Sequence, residues 1–151
     1  MKVWVVRVIS LAILCSGGQV QVEAQVAGSS KPFAEAHIVL QLGDDDTRAQ
    51  ARVVNVANNL IKHYGDPELV DIEIVAYDSG ISLLSPDNPN AERISSLLVS
   101  QVRFVACMNT VETMARVTGK KPVLIPSAIP VKTGVAHLVE RAKQGYVVIR
   151  P

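Results

Sequence analysis

Cys107 lies at a position in the sequence that favours a reactive thiol, the predicted junction between a strand and a helix. The apolar run VRFVAC at 102–107 predicts a buried strand, and a helical pattern follows over 109–118. Where a strand passes into a helix, a side chain meets free backbone N–H groups and the positive end of the helix dipole, which stabilise a thiolate. Cys107 is therefore a candidate nucleophile. The alternative is a small buried hydrophobe, and position alone does not decide between the two.

Polar residues near the cysteine fit the same hypothesis. Two of them follow it at N-cap or first-turn positions of the predicted helix, where their side chains could also hydrogen-bond a group carried on the sulfur. The loop 78–82 follows the second predicted strand and is expected at the same edge of the sheet, because chemistry in such sheets lies beyond the carboxyl ends of the strands. The predicted substrate-binding residues are Asn109, Thr110, Ser79 and Gly80.

No metal or nucleotide motif competes with the cysteine. The acidic run 44–46 resembles the paired carboxylates of phosphoryl-transfer receivers, but such a site also needs an aspartate where Cys107 stands, so helix N-capping is the better account. His37, His63 and His137 lie far apart without metal-ligand spacing, and nothing in the sequence places one beside the sulfur as a hydrolase requires. The loop after the first strand has one glycine where a dinucleotide fingerprint needs three. No metal and no cofactor are expected.

Strands and helices alternate along the chain after residue 35. Unbroken runs of Val, Ile and Leu are typical of strands buried on both faces, and their alternation with helices is typical of right-handed βαβ crossovers. The sequence therefore predicts a three-layer α/β/α sandwich with a mostly parallel sheet of about five strands. The predicted strands are 36–42, 70–77, 102–107 and 146–150, with 122–126 as a fourth strand or a strand-like edge. The predicted helices run from the cap at 44–47 to Gly65 and over 91–100, 109–118 and 131–144.

The first 24 residues predict a secretory signal peptide. Lys2 and Arg7 supply a positive start, residues 8–15 are apolar, and the segment VEA offers a cleavage site after Ala24. The apolar run is shorter than the roughly 20 residues that a membrane span needs. Residues 25–35 predict a short linker or an ordered arm before a single domain over 36–151. The expected location is the periplasm or the extracellular space, with no membrane attachment after cleavage.

Charge and cysteine content limit the classes of partner. Hydrophobic residues make up 48% of the chain and charged residues 19%, which describes a chain that can bury a core. Cleavage removes Lys2, Arg7 and Glu23 and so takes the net charge from +1 to zero, without a basic tract for nucleic acid. Cleavage also removes Cys15. The single remaining cysteine cannot form an internal disulfide.

Four segments together resemble the DsrE/DsrF-like family, which includes sulfur-relay subunits and YchN-like proteins. The resemblance extends over 36–151. More specifically, the chain resembles the exported branch of the family. In that branch a strand ends at a Cys that is followed by a variable residue, Asn and Thr, and the chain closes with a Gly-Tyr strand. The matching segments are AHIVLQLGDDD, VDIEIVAYDSGISLL, VRFVACMNTVE and VAHLVERAKQGYVVIRP.

The resemblance implies a function as well as a fold. Relay members carry sulfane sulfur as a persulfide on their cysteine and assemble into trimers or hexamers, so it implies that Cys107 is the catalytic residue of an exported sulfur carrier. The implied partners are sulfur donor and acceptor proteins or small polysulfides, together with further copies of the same chain. The alternative is a non-catalytic oligomeric binding or assembly module in which the cysteine is structural. Whether the protein is an enzyme is not determined by its sequence.

Overall fold

The computed structural model describes residues 31–151, and its five strands form one parallel sheet. The strands are β1 (Ala36–Leu42), β2 (Val70–Ala76), β3 (Arg103–Cys107), β4 (Ile129–Val131) and β5 (Val147–Ile149). Their order across the sheet is β4-β3-β2-β1-β5, and each neighbouring pair is parallel. Parallel neighbours need a crossover connection, and helices supply those connections here. The predicted α/β/α architecture with a parallel five-stranded sheet is confirmed.

The four α-helices cover the two faces of the sheet unequally. They are α1 (Thr47–Tyr64), α2 (Ala91–Val99), α3 (Met108–Thr118) and α4 (Gly134–Lys143). The larger apolar core joins one face of β1, β2 and β3 to side chains of α1, α2 and α3. The opposite face forms a smaller cluster around Val39, Val75 and Val105, to which α4 contributes Leu138. Central strand β2 is buried along its whole length.

Capping residues set the ends of the helices as the sequence predicts. The Asp46 side chain accepts a hydrogen bond from the backbone N–H of Ala49 at 3.2 Å, which satisfies a donor at the start of α1. Gly65 ends α1 and Gly119 ends α3, both in the left-handed conformation that glycine adopts without steric cost. The acidic run after β1 therefore begins a helix, as predicted.

Two predicted elements lie elsewhere. The segment 122–126, predicted as the fourth strand, has no strand structure, and β4 is instead Ile129–Val131. Within that segment Ile125 donates its N–H to the carbonyl oxygen of Leu84 at 2.9 Å, so its backbone pairs with a neighbouring turn rather than with the sheet. Because Val131 belongs to β4, the last helix begins at Gly134 instead of residue 131.

The loop after β2 also has more regular structure than its composition indicates. A 3-10 helix, Asp78–Leu84, occupies the first part of the predicted turn-rich connection. Its apolar residues Ile81, Leu83 and Leu84 are buried in the larger core, which explains why a segment rich in turn signals adopts a repeating backbone. This short helix contacts β2, β3 and the start of α3, at the carboxyl ends of the strands.

The described part of the predicted N-terminal arm packs against the domain. Lys31 is 6% exposed, and its ammonium group donates hydrogen bonds to the carbonyl oxygens of Pro67, Val70 and Ser100. The predicted signal peptide and its cleavage site lie outside the described residues. Among the helices of residues 31–151, none combines the length and hydropathy of a membrane span.

Candidate functional site

Cys107 is the last residue of β3 and the residue immediately before α3. Cys107 is 4% exposed, and its side chain lies on the same face of the sheet as α4, because it is two residues after Val105, which packs on that face. Cys107 is the free cysteine of the described chain. The predicted position at a strand-to-helix junction is confirmed by the structure.

A pocket of about 320 Å³ opens beside the sulfur. Its wall is formed by the carboxyl ends of β2 and β3, the first two turns of α3 and the start of α4. Two of the predicted substrate-binding residues, Asn109 and Thr110, line this pocket together with the cysteine. The other lining residues are Tyr77, Asp78, Thr113, Met114, Thr133 and Val135.

The hydroxyl group of Thr110 is oriented between two partners. Its oxygen accepts a hydrogen bond from the backbone N–H of Asp78 at 3.0 Å. Asp78 has a positive φ of 49°, a conformation that Asp tolerates better than most residues and that occurs often near functional sites. Because the oxygen is already an acceptor, the hydroxyl hydrogen is available for the sulfur of Cys107, to which Thr110 also donates.

The pKa of Cys107 lies below its usual value. Burial would raise the pKa, but the donors around the sulfur lower it by more, with the Thr110 hydroxyl first, followed by the backbone N–H groups of Gly134, Thr110 and Asn109. The Asn109 N–H also donates to the carbonyl oxygen of Lys132 at 3.1 Å, so we assign the shift mainly to Thr110 and Gly134. Cys107 forms no side-chain capping hydrogen bond to α3, so the N–H groups of that helix act on the sulfur only as nearby donors. It is therefore an acceptor placed among donors, which favours the thiolate.

Gly134 is a site residue that sequence reasoning missed. It is the first residue of α4, and a β-carbon at this position would lie 3.1 Å from Cβ of Cys107 and 3.2 Å from Cβ of Tyr77. The absence of a side chain allows the N-terminus of α4 to approach the sulfur, so two helix N-termini meet at Cys107. A glycine in the first turn of the helix predicted over 131–144 is the signal that could have identified it, because glycine inside an element can mark a close backbone approach.

Ser79 and Gly80 do not line this pocket. The Ser79 hydroxyl donates to the carbonyl oxygen of Gly43 at 3.2 Å. Gly80 is buried against β1, and a β-carbon there would lie 2.4 Å from the carbonyl oxygen of Leu42. Both residues therefore connect the 3-10 helix Asp78–Leu84 to the end of β1, while Asp78 is the residue of that helix that reaches the pocket.

A larger cavity of about 810 Å³ lies on the other side of Met114. It is formed by the 3-10 helix, the end of α3 and the segment 120–124, and it contains neither a cysteine nor a histidine. Size alone would favour this cavity as a binding site. The smaller pocket is the better candidate because it contains the nucleophile and its hydrogen-bond donors.

The three histidines lie away from the sulfur. His137 contacts Glu73, His37 lies near Asp71, and His63 packs edge to face on its neighbour in α1. None of them lines the Cys107 pocket, so a histidine base is not part of that pocket. Within residues 31–151, no group of three His, Cys, Asp or Glu side chains is arranged to hold a metal ion.

A second chemical feature, a buried carboxylate under α4, was not predicted. Glu73 of β2 is 1% exposed and contacts Arg141 through a two-point fork, with Nε 2.9 Å from Oε2 and Nη2 2.6 Å from Oε1. Arg103 Nε donates to Oε1 at 2.9 Å, and His137 Nε2 lies 2.9 Å from Oε2. Burial would raise the pKa of Glu73, but hydrogen bonds from His137 and Arg141 and the charge of Arg103 lower it to about 2.

Asp71 extends this buried cluster toward the amino-terminal end of β2. It is completely buried, lies 2.6 Å from Arg103 and accepts a hydrogen bond from the Tyr146 hydroxyl at 2.6 Å. Burial and the hydrogen bond to Asp71 raise the pKa of Tyr146 to about 12. Acidic residues at alternate positions of the otherwise apolar strand VDIEIVA are the sequence signal that could have identified the cluster.

The comparisons with known proteins identify a structural relative. No protein-family model matches the chain, and no curated protein matches it. Among solved structures, a protein of unknown function from Methanobacterium thermoautotrophicum, MTH1491, is similar with a TM-score of 0.68 and 30% sequence identity. The similarity covers 78% of this chain and 100% of the archaeal chain. With this identity over its relative's full length, the chain belongs to the same family as that archaeal protein of unknown function.

Proposed function

We propose that the protein is an exported sulfur carrier in which Cys107 accepts sulfane sulfur as a persulfide and passes it to an acceptor. The observation that carries the proposal is the surroundings of the sulfur. Cys107 lies between the N-termini of α3 and α4, and its sulfur faces the hydroxyl group of Thr110 as a hydrogen-bond donor. It also borders a pocket large enough for a small sulfur compound. These features favour a thiolate, which is the form that attacks sulfane sulfur.

The proposed chemistry consists of two thiol–disulfide-type exchanges. The Cys107 thiolate attacks the outer sulfur of a persulfide or polysulfide; a new S–S bond forms at Cys107, the donor's S–S bond breaks, and the remainder of the donor leaves as a thiolate. A thiolate of the acceptor then attacks the outer sulfur, and Cys107 leaves as a thiolate. Electrons balance without a metal, a nucleotide or an external oxidant. Asn109 and Thr110 are the residues proposed to stabilise the outer sulfur.

The resemblance to DsrE/DsrF-like proteins, drawn from the sequence, supports the same chemistry and suggests the partners. We propose sulfur donor and acceptor proteins or small polysulfides as partners, a periplasmic or secreted location, and assembly into trimers or hexamers. These assignments stay predictions.

Intact mass is the direct test. Incubation with polysulfide is expected to add the mass of one sulfur atom to the purified protein, and a reductant is expected to remove it. Cys107→Ser is the matched control and is expected to gain nothing. If the wild-type protein gains no mass while a small free thiol in the same solution does, the sulfur-carrier proposal is wrong.

The low exposure of Cys107 favours a second candidate, a binding or assembly module with a structural cysteine. A side chain that is 4% exposed can be a packing residue, and free cysteine is often buried for that reason. The two candidates differ in how fast a small alkylating reagent reacts with the folded protein. Reaction only after denaturation would support the binding module, whereas fast reaction of the folded protein at neutral pH would support the carrier.

A further inference from the structure

Helix α4 connects the cysteine pocket with the buried carboxylate of β2. Gly134, His137, Leu138 and Arg141 are spaced at helical intervals of three and four residues, so they lie on one side of α4 and face the sheet. Gly134 lies against Cys107 at one end of this stripe, and His137 and Arg141 contact Glu73 toward the other. The distance along the helix from residue 134 to residue 141 is about 10 Å.

Apolar packing holds α4 only weakly. Leu138 is the buried hydrophobic side chain of this helix, and Gly134 is its other buried residue. Val135, which borders the cysteine pocket, is 54% exposed, and Val139 is 50% exposed. Polar contacts with Glu73 therefore have an unusually large share in fixing where this helix lies.

We propose that Glu73, His137 and Arg141 are positioning residues that hold the N-terminus of α4 against the sulfur of Cys107. The inference rests on the proposed role of Cys107 as a reactive thiolate. The two-point contact of Arg141 with Glu73 fixes both the depth and the rotation of the helix, because a planar guanidinium matches a carboxylate in one orientation. None of the three residues lines the cysteine pocket, so they act on the sulfur through the helix.

Contact with the sulfur is sensitive to small helix displacements. The position of a β-carbon at residue 134 would be 3.1 Å from Cβ of Cys107, so the backbone of α4 already approaches the cysteine closely. Hydrogen-bond strength falls steeply once geometry departs from its preferred range, so a shift of about 1 Å at Gly134 would weaken the N–H contact with the thiolate.

The test compares two substitutions within α4. Arg141→Met removes the fork to Glu73, and Lys143→Met is the matched control because Lys143 has the same charge in the same helix and pairs only with exposed Glu140 among described contacts. The rate of alkylation of Cys107 by iodoacetamide is measured from pH 5 to pH 10. We expect Arg141→Met to slow the reaction at neutral pH about tenfold by raising the thiol pKa, as loss of a hydrogen bond to a charged group does. Lys143→Met is expected to leave the profile unchanged.

Rescue by a conservative variant separates positioning from general stability. Arg141→Lys keeps the charge with a single-point contact and is expected to fall between the wild type and Arg141→Met. If Arg141→Met does not fold, His137→Leu, which removes another contact to Glu73, is measured instead with the same expected direction.

Two results would overturn different statements. A wild-type thiol pKa below that of free cysteine that stays unchanged in folded Arg141→Met or His137→Leu would show that the contacts serve stability only, and the positioning inference would be wrong. A wild-type cysteine no more reactive than a free thiol would contradict the proposed function itself, and the inference would fall with it.

Discussion

At the scale of the residue, Cys107 is governed by competition between burial and hydrogen bonding. Burial disfavours a thiolate, yet the pKa of Cys107 is lowered because donors surround the sulfur. Thr110 differs from the other donors in having a fixed orientation. Its hydroxyl oxygen accepts a hydrogen bond from the Asp78 N–H, which leaves the hydroxyl hydrogen for the sulfur. A valine at this position would keep the shape of the side chain while removing both hydrogen bonds.

Thr110→Val is therefore expected to slow alkylation of Cys107 at neutral pH by about three- to tenfold, because the thiolate loses a donor. Thr113→Val is the matched control: Thr113 lines the same pocket, but its hydroxyl accepts a hydrogen bond from Arg116 at 2.9 Å. The measurement is the pH profile of the alkylation rate for both variants, with Thr110→Ser expected to recover most of the wild-type rate. Equal rates for the two valine variants would contradict the assignment of Thr110 as a donor to the sulfur.

At the scale of the element, the 3-10 helix Asp78–Leu84 lies at the carboxyl ends of the strands and shapes the surroundings of the Cys107 pocket. Gly80 allows this helix to pack directly on the backbone of β1, since any side chain would meet the carbonyl oxygen of Leu42 at 2.4 Å. Ser79 ties the same helix to Gly43. Ser79 and Gly80, two of the four residues predicted to bind substrate, therefore have structural contacts, and neither of them reaches the pocket around Cys107.

Gly80→Ala is expected to lower the free energy of unfolding by about 1–3 kcal/mol, because rigid backbone rather than a flexible side chain blocks the new methyl group. Ser79→Ala, at the adjacent position, loses one partly exposed hydrogen bond and is expected to cost about 1 kcal/mol or less. Urea unfolding measures both. A Gly80→Ala protein as stable as the wild type would contradict the steric role assigned to Gly80.

At the scale of the whole molecule, a charged cluster lies inside the smaller core between the sheet and α4. It joins β2, β3, α4 and the residue before β5 through Asp71, Glu73, Arg103, Arg141 and Tyr146. Buried charges of this kind are favourable only while every partner is present, because an unpaired charge retains its full desolvation penalty. The cluster should therefore make stability depend on pH.

Glu73→Gln is expected to lower the free energy of unfolding at pH 7 by roughly 3 kcal/mol. The folded-state pKa of Glu73 is about 2 against an ordinary 4.5, so its carboxylate stabilises the fold fully above about pH 4.5 and progressively less as the pH falls toward 2. The difference between wild type and Glu73→Gln should shrink over that same interval. Urea unfolding at several pH values measures it.

The control for this measurement is Glu140→Gln, which removes an exposed carboxylate paired with Lys143 on the surface. Its effect is expected to be below about 0.5 kcal/mol at every pH. A difference for Glu73→Gln that stays constant from pH 7 to pH 3 would show that the carboxylate is not held ionised by its neighbours, contrary to the prediction.

The sequence by itself determined the class of the fold and the place of the cysteine. Strand runs, helix periodicity and caps are local signals, so β1, α1, the strand-to-helix junction at Cys107 and the parallel sheet were all predictable. The contact of Asn109 and Thr110 with the pocket followed from the same junction, because residues directly after a strand stay close to its end.

Only the tertiary structure decided which distant residues meet at the sulfur and in the smaller core. Gly134 reaches Cys107, and Arg141 reaches Glu73, because crossover connections bring α4 back across the sheet. The fourth strand was misplaced for a related reason: the apolar segment 122–126 and the true strand Ile129–Val131 have similar composition, and only pairing with β3 distinguishes them. Sequence patterns report which residues are buried, whereas the identity of the partner against which each is buried depends on the assembled fold.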